Sequence, residues 1–164
     1  MSPRVSVVMP AYNHRRFVGQ AIASVLDQSF RDFELLVVDD GSTDGTPNVI
    51  RQFQDVRLML EVFPANRGAV VAENTAIRSS RGEYIAILNS DDYFLPGKLE
   101  TQVNFLDANP AVAAVFSGSL AASTNAAPRS RGSLNSRLAP ASSSRGWSGS
   151  ASFSSSAIFF AIRR

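Results

Sequence analysis

Cysteine is absent from this sequence, and histidine and lysine occur once each, as His14 and Lys98. No disulfide framework, thiolate metal site or multi-histidine metal centre is therefore available. No apolar stretch approaches the roughly 20 residues that a membrane-spanning helix needs. Met1-Ser2-Pro3-Arg4 leads into only a short apolar run, unlike a secretory signal. These absences lead us to expect a soluble protein of a reducing, cytoplasmic compartment, with peripheral contact at the inner face of a membrane left open. Acidic residues are missing from one region altogether, since none follows Asp107. All 14 carboxylates precede Ser119, as do ten of the 16 basic residues, whereas residues 119–164 hold six arginines and no lysine. The net charge of +2 is thus the difference between an acidic first part and a basic tail. Basic tails can bind nucleic acid. Here the arginines are scattered among Ser and Ala without regular aromatic interleaving, so nucleic acid is not expected as a partner.

What is present is a chain of one-domain size with apolar runs set between helical patterns. Val5-Ser6-Val7-Val8-Met9 reads as a buried strand stopped by Pro10. Phe17, Val18, Ala21, Ile22, Val25 and Leu26 then recur at helical spacing between His14 and Gln28, with Asn13 as the candidate N-cap. Phe33 to Val38 reads as a second strand, followed by the turn-rich Asp39-Asp40-Gly41-Ser42-Thr43-Asp44-Gly45. Thr46-Pro47 suits a helix start. Residues 57–63 read as a third strand, residues from 69 to about 80 as a helix, and Tyr84 to Leu88 as a fourth strand that runs into Asn89-Ser90-Asp91-Asp92. A helix begun by Pro96 and a fifth strand over residues 113–116 complete the pattern. Strands that alternate with helices and read as continuous apolar runs predict an α/β fold with a mostly parallel sheet flanked by helices.

The grammar changes after Gly118. Fourteen of the last 46 residues are Ser, helical periodicity vanishes, and no strand is convincing until Ala157 to Ile162. We read residues 1–118 as a domain and 119–164 as an irregular Ser/Ala/Arg-rich tail, of which 119–156 buries too little apolar surface to order itself. The abrupt loss of every acid also suggests an out-of-frame translation of a normal continuation. The encoding nucleotide sequence tests this: no α/β pattern in either shifted frame would reject it.

In a parallel sheet three polar strand ends fall on one edge, where ligands of open α/β sheets bind. They are Pro10-Ala11-Tyr12-Asn13, Asp39 to Asp44, and Asn89-Ser90-Asp91-Asp92. Tyr12 could offer its ring to a nucleobase. Asp40 could accept hydrogen bonds from base or ribose. Two adjacent carboxylates repel unless a cation or donors compensate, and hard divalent ions are held by one or two carboxylates plus substrate phosphates. Asp92 is therefore a candidate metal ligand. The plainer alternatives are turn or cap roles for Asp39, Asp40 and Asp44, a packing role for Tyr12, a surface role for Arg67 and a solvated position for His14. Neither G-x-x-x-x-G-K-[ST] nor a strand-coupled G-x-G-x-x-G occurs.

Taken together, these motifs resemble the family 2 glycosyltransferases of the GT-A fold. The likeness runs from Val5 through Asn13, Ser24-Val25-Leu26-Asp27-Gln28-Ser29-Phe30, Phe33 to Asp44, Asn66-Arg67-Gly68, Asn74, Gly82-Glu83-Tyr84-Ile85 and Asn89 to Asp92. The resemblance implies a Rossmann-like nucleotide-binding half, a nucleotide-sugar donor (most often a UDP-sugar), Mg²⁺ or Mn²⁺, and a saccharide or glycoconjugate acceptor. It places Ala11, Tyr12 and Asp40 at the base, Asp91 at the ribose or nucleotide, and Asp92 on the metal. It also implies inverting transfer to an acceptor hydroxyl, with a general base in the second half of the domain. No carboxylate follows Asp107, so no base is nominated and the chain is expected to be a truncated enzyme. A non-catalytic nucleotide-binding or interaction module is the alternative. A phospho-accepting signalling domain fits less well, because its acidic pair belongs on the first strand.

Overall fold

The computed structural model describes residues 2–116 together with the backbone of residues 158–161. Its elements run in the order β1 (Val5–Ala11), α1 (Val18–Leu26), β2 (Phe33–Asp39), α2 (Thr46–Ile50), β3 (Leu58–Val62), α3 (Ala69–Ser79), β4 (Tyr84–Ile87), α4 (Lys98–Ala108), β5 (Ala114–Phe116) and β6 (Ile158–Ala161). The strands form one sheet in the order β3-β2-β1-β4-β6-β5. β1 pairs in parallel with both β2 and β4, and β2 with β3. The fold is thus α/β with a mostly parallel sheet flanked by helices.

Alternation along the strands divides the core between the two faces. Val5, Val7, Met9 and Ala11 of β1 join Phe33, Leu35 and Val37 of β2 beneath α1 and α4. Val8, Leu36, Val38 and Ile85 face the other way, against Ala72 and Ala76 of α3. Both faces are covered, which is why these strands read as unbroken apolar runs.

Several boundaries differ from the sequence reading. β1 does not stop at Met9 but continues through Pro10, which sits opposite Val38. On the β4 side the pairing ends at Val8, so no ladder bond needs the N–H that Pro10 lacks. α1 begins at Val18 rather than near His14, and Asn13 does not cap it. Asn13 adopts a left-handed backbone with φ of 54° and spends its side chain on the Thr43 N–H. α4 starts at Lys98 after Gly97, whose φ is 75°, so Pro96 lies outside the helix.

The tail supplies a strand within the 157–162 run, where the sequence regains a strand pattern. Ile158–Ala161 enters the sheet as β6, antiparallel to both β4 and β5. The remaining tail positions, Trp147 included, and the frame-shift reading of them, lie outside the described residues.

At the amino end of the sheet the chain turns into β4 through a closed polar cluster. Glu34 is buried on β2 and accepts from the Ser6 hydroxyl at 2.7 Å, from the Arg81 N–H at 2.8 Å and from its guanidinium at 2.6 Å. Burial pushes the Glu34 carboxyl up, but Ser6 and Arg81 outweigh it and hold the group below the usual carboxylate range. Gly82 packs so tightly there that a Cβ would lie 2.6 Å from the Ser6 nitrogen.

Candidate functional site

β2 and β3 extend the sheet to one side of β1, and β4 lies on the other. The order therefore reverses at the β1/β4 junction, where open sheets leave a crevice at the strand tips. A pocket of about 270 Å³ opens there. Ala11 and Tyr12 reach it from the end of β1, Asp40 from the end of β2, and Asn89, Ser90 and Asp91 from the turn after β4. Ala69 and Ala72 of α3 contribute small side chains to its wall. The polar strand ends identified in the sequence thus converge on one cavity. Tyr12 is 42% exposed there, with its ring available to a planar ligand.

The acids differ sharply in their surroundings. Asp39 is fully buried and accepts from the Ser42 N–H at 2.9 Å and the Ser42 hydroxyl at 2.6 Å, so it organises its own turn. Asp44 accepts from Thr46 at both N–H and hydroxyl and from the Arg15 N–H. Both carboxylates have the turn or cap role foreseen as the plainer reading. Asp40 is 1% exposed, and its two oxygens accept from the Arg67 and Gly68 N–H groups at 2.7 and 2.8 Å, at the amino end of α3. Each oxygen keeps one lone pair beyond these bonds. The Arg67 guanidinium itself stacks on Phe63, 4.7 Å from the ring centre.

β4 ends at Ile87, so the acidic residues sit not on the strand but in the turn after it. Asp91 is exposed, and Asp92, half-buried, does not line the pocket that Asp91 lines. The Asp92 N–H donates to the Asn89 carbonyl at 3.1 Å, and the Asn89 amide reaches the Asp92 carboxylate at 3.4 Å. Burial, and then the charge of Asp91, push the Asp92 carboxyl up, and Asn89 offsets only part of this. Among the described residues no basic side chain forms an ion pair with Asp40, Asp91 or Asp92.

This donor set fits a hard divalent cation held jointly with a ligand. Two uncompensated carboxylates supply oxygen donors, and no group of three or more metal-ligating side chains occurs among the described residues. An ion at Asp92 would need further oxygens, of the kind a diphosphate offers.

The roles of three residues at or behind the site were missed in the sequence. His14, expected as a solvated position, lines the pocket and bonds through Nδ1 to the buried Ser90 Oγ at 2.8 Å. Gln28 is 2% exposed and binds the Leu95 carbonyl and the Leu99 N–H, while Ser24 Oγ accepts from the Phe94 N–H. Together they tie the segment after Asp92 to α1. A polar Gln near the apolar face of a helix was the available signal.

Comparison with known proteins follows the same outline. A family model described as Glycosyl transferase family 2 matches residues 6–162. The chain is 42% identical over 106 residues to a Bacillus subtilis (strain 168) protein named for teichuronic acid biosynthesis, the glycosyltransferase TuaG; the match covers 63% of this chain and 42% of that protein. It is 40% identical over 105 residues to the Escherichia coli UDP-Glc:alpha-D-GlcNAc-diphosphoundecaprenol beta-1,3-glucosyltransferase WfgD, again covering 64% and 42%. Among solved structures it resembles the mannosyltransferase PcManGT from Pyrobaculum calidifontis in complex with GDP-Man and Mn²⁺, with a TM-score of 0.63, 33% identity, and coverage of 70% of this chain and 35% of that one. The match to S. aureus TarS in complex with UDP-GlcNAc has a TM-score of 0.62 at 29% identity and covers 67% and 32%. The matched region thus spans less than half the length of these relatives. Among the described residues no helix is long and apolar enough to cross a membrane.

Proposed function

Since this chain belongs to glycosyl transferase family 2, we propose that the pocket at the β1, β2 and β4 tips holds the nucleoside diphosphate of a sugar donor, with a UDP-sugar as the leading candidate. The observation that carries this reading is the convergence of Ala11, Tyr12, Asp40 and Asp91 on one cavity. Ala11 and Tyr12 flank the base. Asp40, pre-oriented by two backbone N–H groups, uses its remaining lone pairs for base N–H donors. Asp91 accepts from the ribose hydroxyls, and Asp92 holds Mg²⁺ or Mn²⁺ at the diphosphate. Neutralisation of charge on the departing nucleoside diphosphate is the chemistry that such a cation supplies. The names of the relatives support this reading: one specifies UDP-glucose, and one structure contains GDP-mannose with Mn²⁺.

The reaction is transfer of the sugar to an acceptor hydroxyl on a saccharide or glycoconjugate, with inversion. The diphosphoundecaprenol acceptor in one relative's name favours a lipid-linked acceptor and a site of action at the inner face of a membrane. Inverting transfer requires a base for the acceptor proton. No residue of this chain is given that task, since no carboxylate follows Asp107. A nucleotide-binding module without turnover is the second reading.

Calorimetric titration of the whole chain with UDP, GDP and ADP, with and without Mn²⁺, tests the shared part of both readings. Binding of one nucleotide, tighter with Mn²⁺, is expected. Flat titrations throughout would reject it. Donor hydrolysis or transfer would then separate the enzyme from the module.

A further inference from the structure

Ser90 Oγ is buried, and the Ser90 side chain is 1% exposed. A buried hydroxyl must place its hydrogen on an acceptor within the protein. His14 Nδ1 lies 2.8 Å away and is the one hydrogen-bond partner of this hydroxyl among the described residues. Were Nδ1 protonated and donating, the Ser90 hydrogen would be left unpaired in the interior. Ser90 therefore donates, Nδ1 accepts, and the neutral imidazole carries its proton on Nε2. Nε2 makes no hydrogen bond among the described residues, and the ring lines the same pocket as Asp91.

We propose that His14 is a donor-binding residue whose Nε2–H donates to a diphosphate oxygen of the nucleotide, with Ser90 as the positioning residue that sets its tautomer. This deepens the reading of the pocket given above and rests on it. The base lies with Ala11, Tyr12 and Asp40, while His14 is joined to the turn that carries Asp91 and Asp92, where the diphosphate lies. A neutral N–H donor is suited to that place. It stabilises anionic oxygens without adding a second positive charge beside the cation, and its tautomer is set before the ligand arrives.

The chain has a single histidine, so its imidazole nitrogens can be assigned without ambiguity. Two-bond ¹H–¹⁵N correlation on the free protein should show one nitrogen of the acceptor type, Nδ1, and a protonated Nε2. Ser90→Ala should turn this into a mixture of tautomers. Binding of UDP with Mn²⁺ should weaken about tenfold to a hundredfold in His14→Ala, and less in Ser90→Ala. His14→Gln, whose amide nitrogen reaches the Nε2 position, should restore more affinity than His14→Asn, which replaces only Nδ1. An Nδ1–H tautomer, undiminished affinity in His14→Ala, or recovery in Asn equal to or above that in Gln would each overturn the role given to His14. Failure of the unaltered chain to bind UDP would instead remove the nucleotide reading itself.

Discussion

At the amino end of β2 the buried Glu34 carboxylate meets the Arg81 guanidinium at 2.6 Å; at its carboxyl end the buried Asp39 and Asp40 carboxylates meet only backbone N–H groups and a hydroxyl. The first end is balanced in charge and closed, with Gly82 wedged against Ser6. The second is unbalanced: Asp40, Asp91 and Asp92 share one rim with no ion-paired basic side chain among the described residues. The same strand thus carries buried acid at both tips and uses it differently. A paired carboxylate holds the fold together, whereas unpaired ones leave negative potential that a cation or a ligand's donors can satisfy.

The strongest way to probe the contrast is to crowd each end. A Cβ at Gly82 would lie 2.6 Å from the Ser6 nitrogen, and one at Gly41, where φ is +72°, 2.5 Å from the Ala65 carbonyl carbon. Gly82→Ala and Gly41→Ala should each lower stability by about 3 kcal/mol in urea unfolding. Only Gly41→Ala should also weaken nucleotide binding by the folded fraction. Equal binding losses at both ends would erase the distinction.

Next in size, Asp40→Ala and Glu34→Ala each strand buried donors and should cost roughly 2 to 3 kcal/mol. The first should abolish UDP binding, and the second should leave the dissociation constant within twofold of the unaltered chain. An Asp40 variant that binds normally would reduce that residue to a helix-end cap.

Asp92→Asn should move stability the other way, raising it by less than about 1 kcal/mol, because the repulsion from Asp91 is removed. The Mn²⁺-dependent part of the nucleotide affinity should vanish. Thermal unfolding and titration with and without Mn²⁺ read the two effects, and a variant that still responds to Mn²⁺ would take the metal away from Asp92.

The smallest effect is that of pH. The Glu34 carboxyl is depressed in the fold, so its contribution is present above its unfolded value and lost as pH falls through the folded one. Stability should decline from about pH 4.5 downward, and Glu34→Gln should flatten that decline. Asp92 is raised and has the opposite sign: its protonation begins above the usual carboxylate range and relieves repulsion. Metal-dependent binding should therefore weaken before the fold does. An unfolding series across this range, with parallel titrations, separates the two.

Much of the architecture was legible because its signals are local. Val5 to Met9, Phe33 to Val38 and Tyr84 to Ile87 are apolar runs that can only be strands buried on both faces. Each site acid lies within a few residues of the end of such a run, so the topology carries its turn to the rim. Boundaries were less legible. Pro10 looks like a stop, yet β4 has already ended beside it. Asn13 looks like a helix cap, yet Thr43, from a different loop, claims its side chain. The strand pattern of residues 157–162 was legible as an apolar run, but its antiparallel place between β4 and β5 depends on the edges it joins.

The sequence by itself determined the alternation of strands and helices, the acids at the strand tips and the family likeness. These follow from hydrophobic periodicity and residue order, which are properties of neighbours along the chain. Only the tertiary structure decided which acid is bound into its turn and which keeps acceptor capacity at the pocket, that His14 meets Ser90, and that Gln28 holds the segment after Asp92. Those outcomes depend on donors supplied from far along the chain, and hydrogen bonding with charge compensation is settled by distance in space.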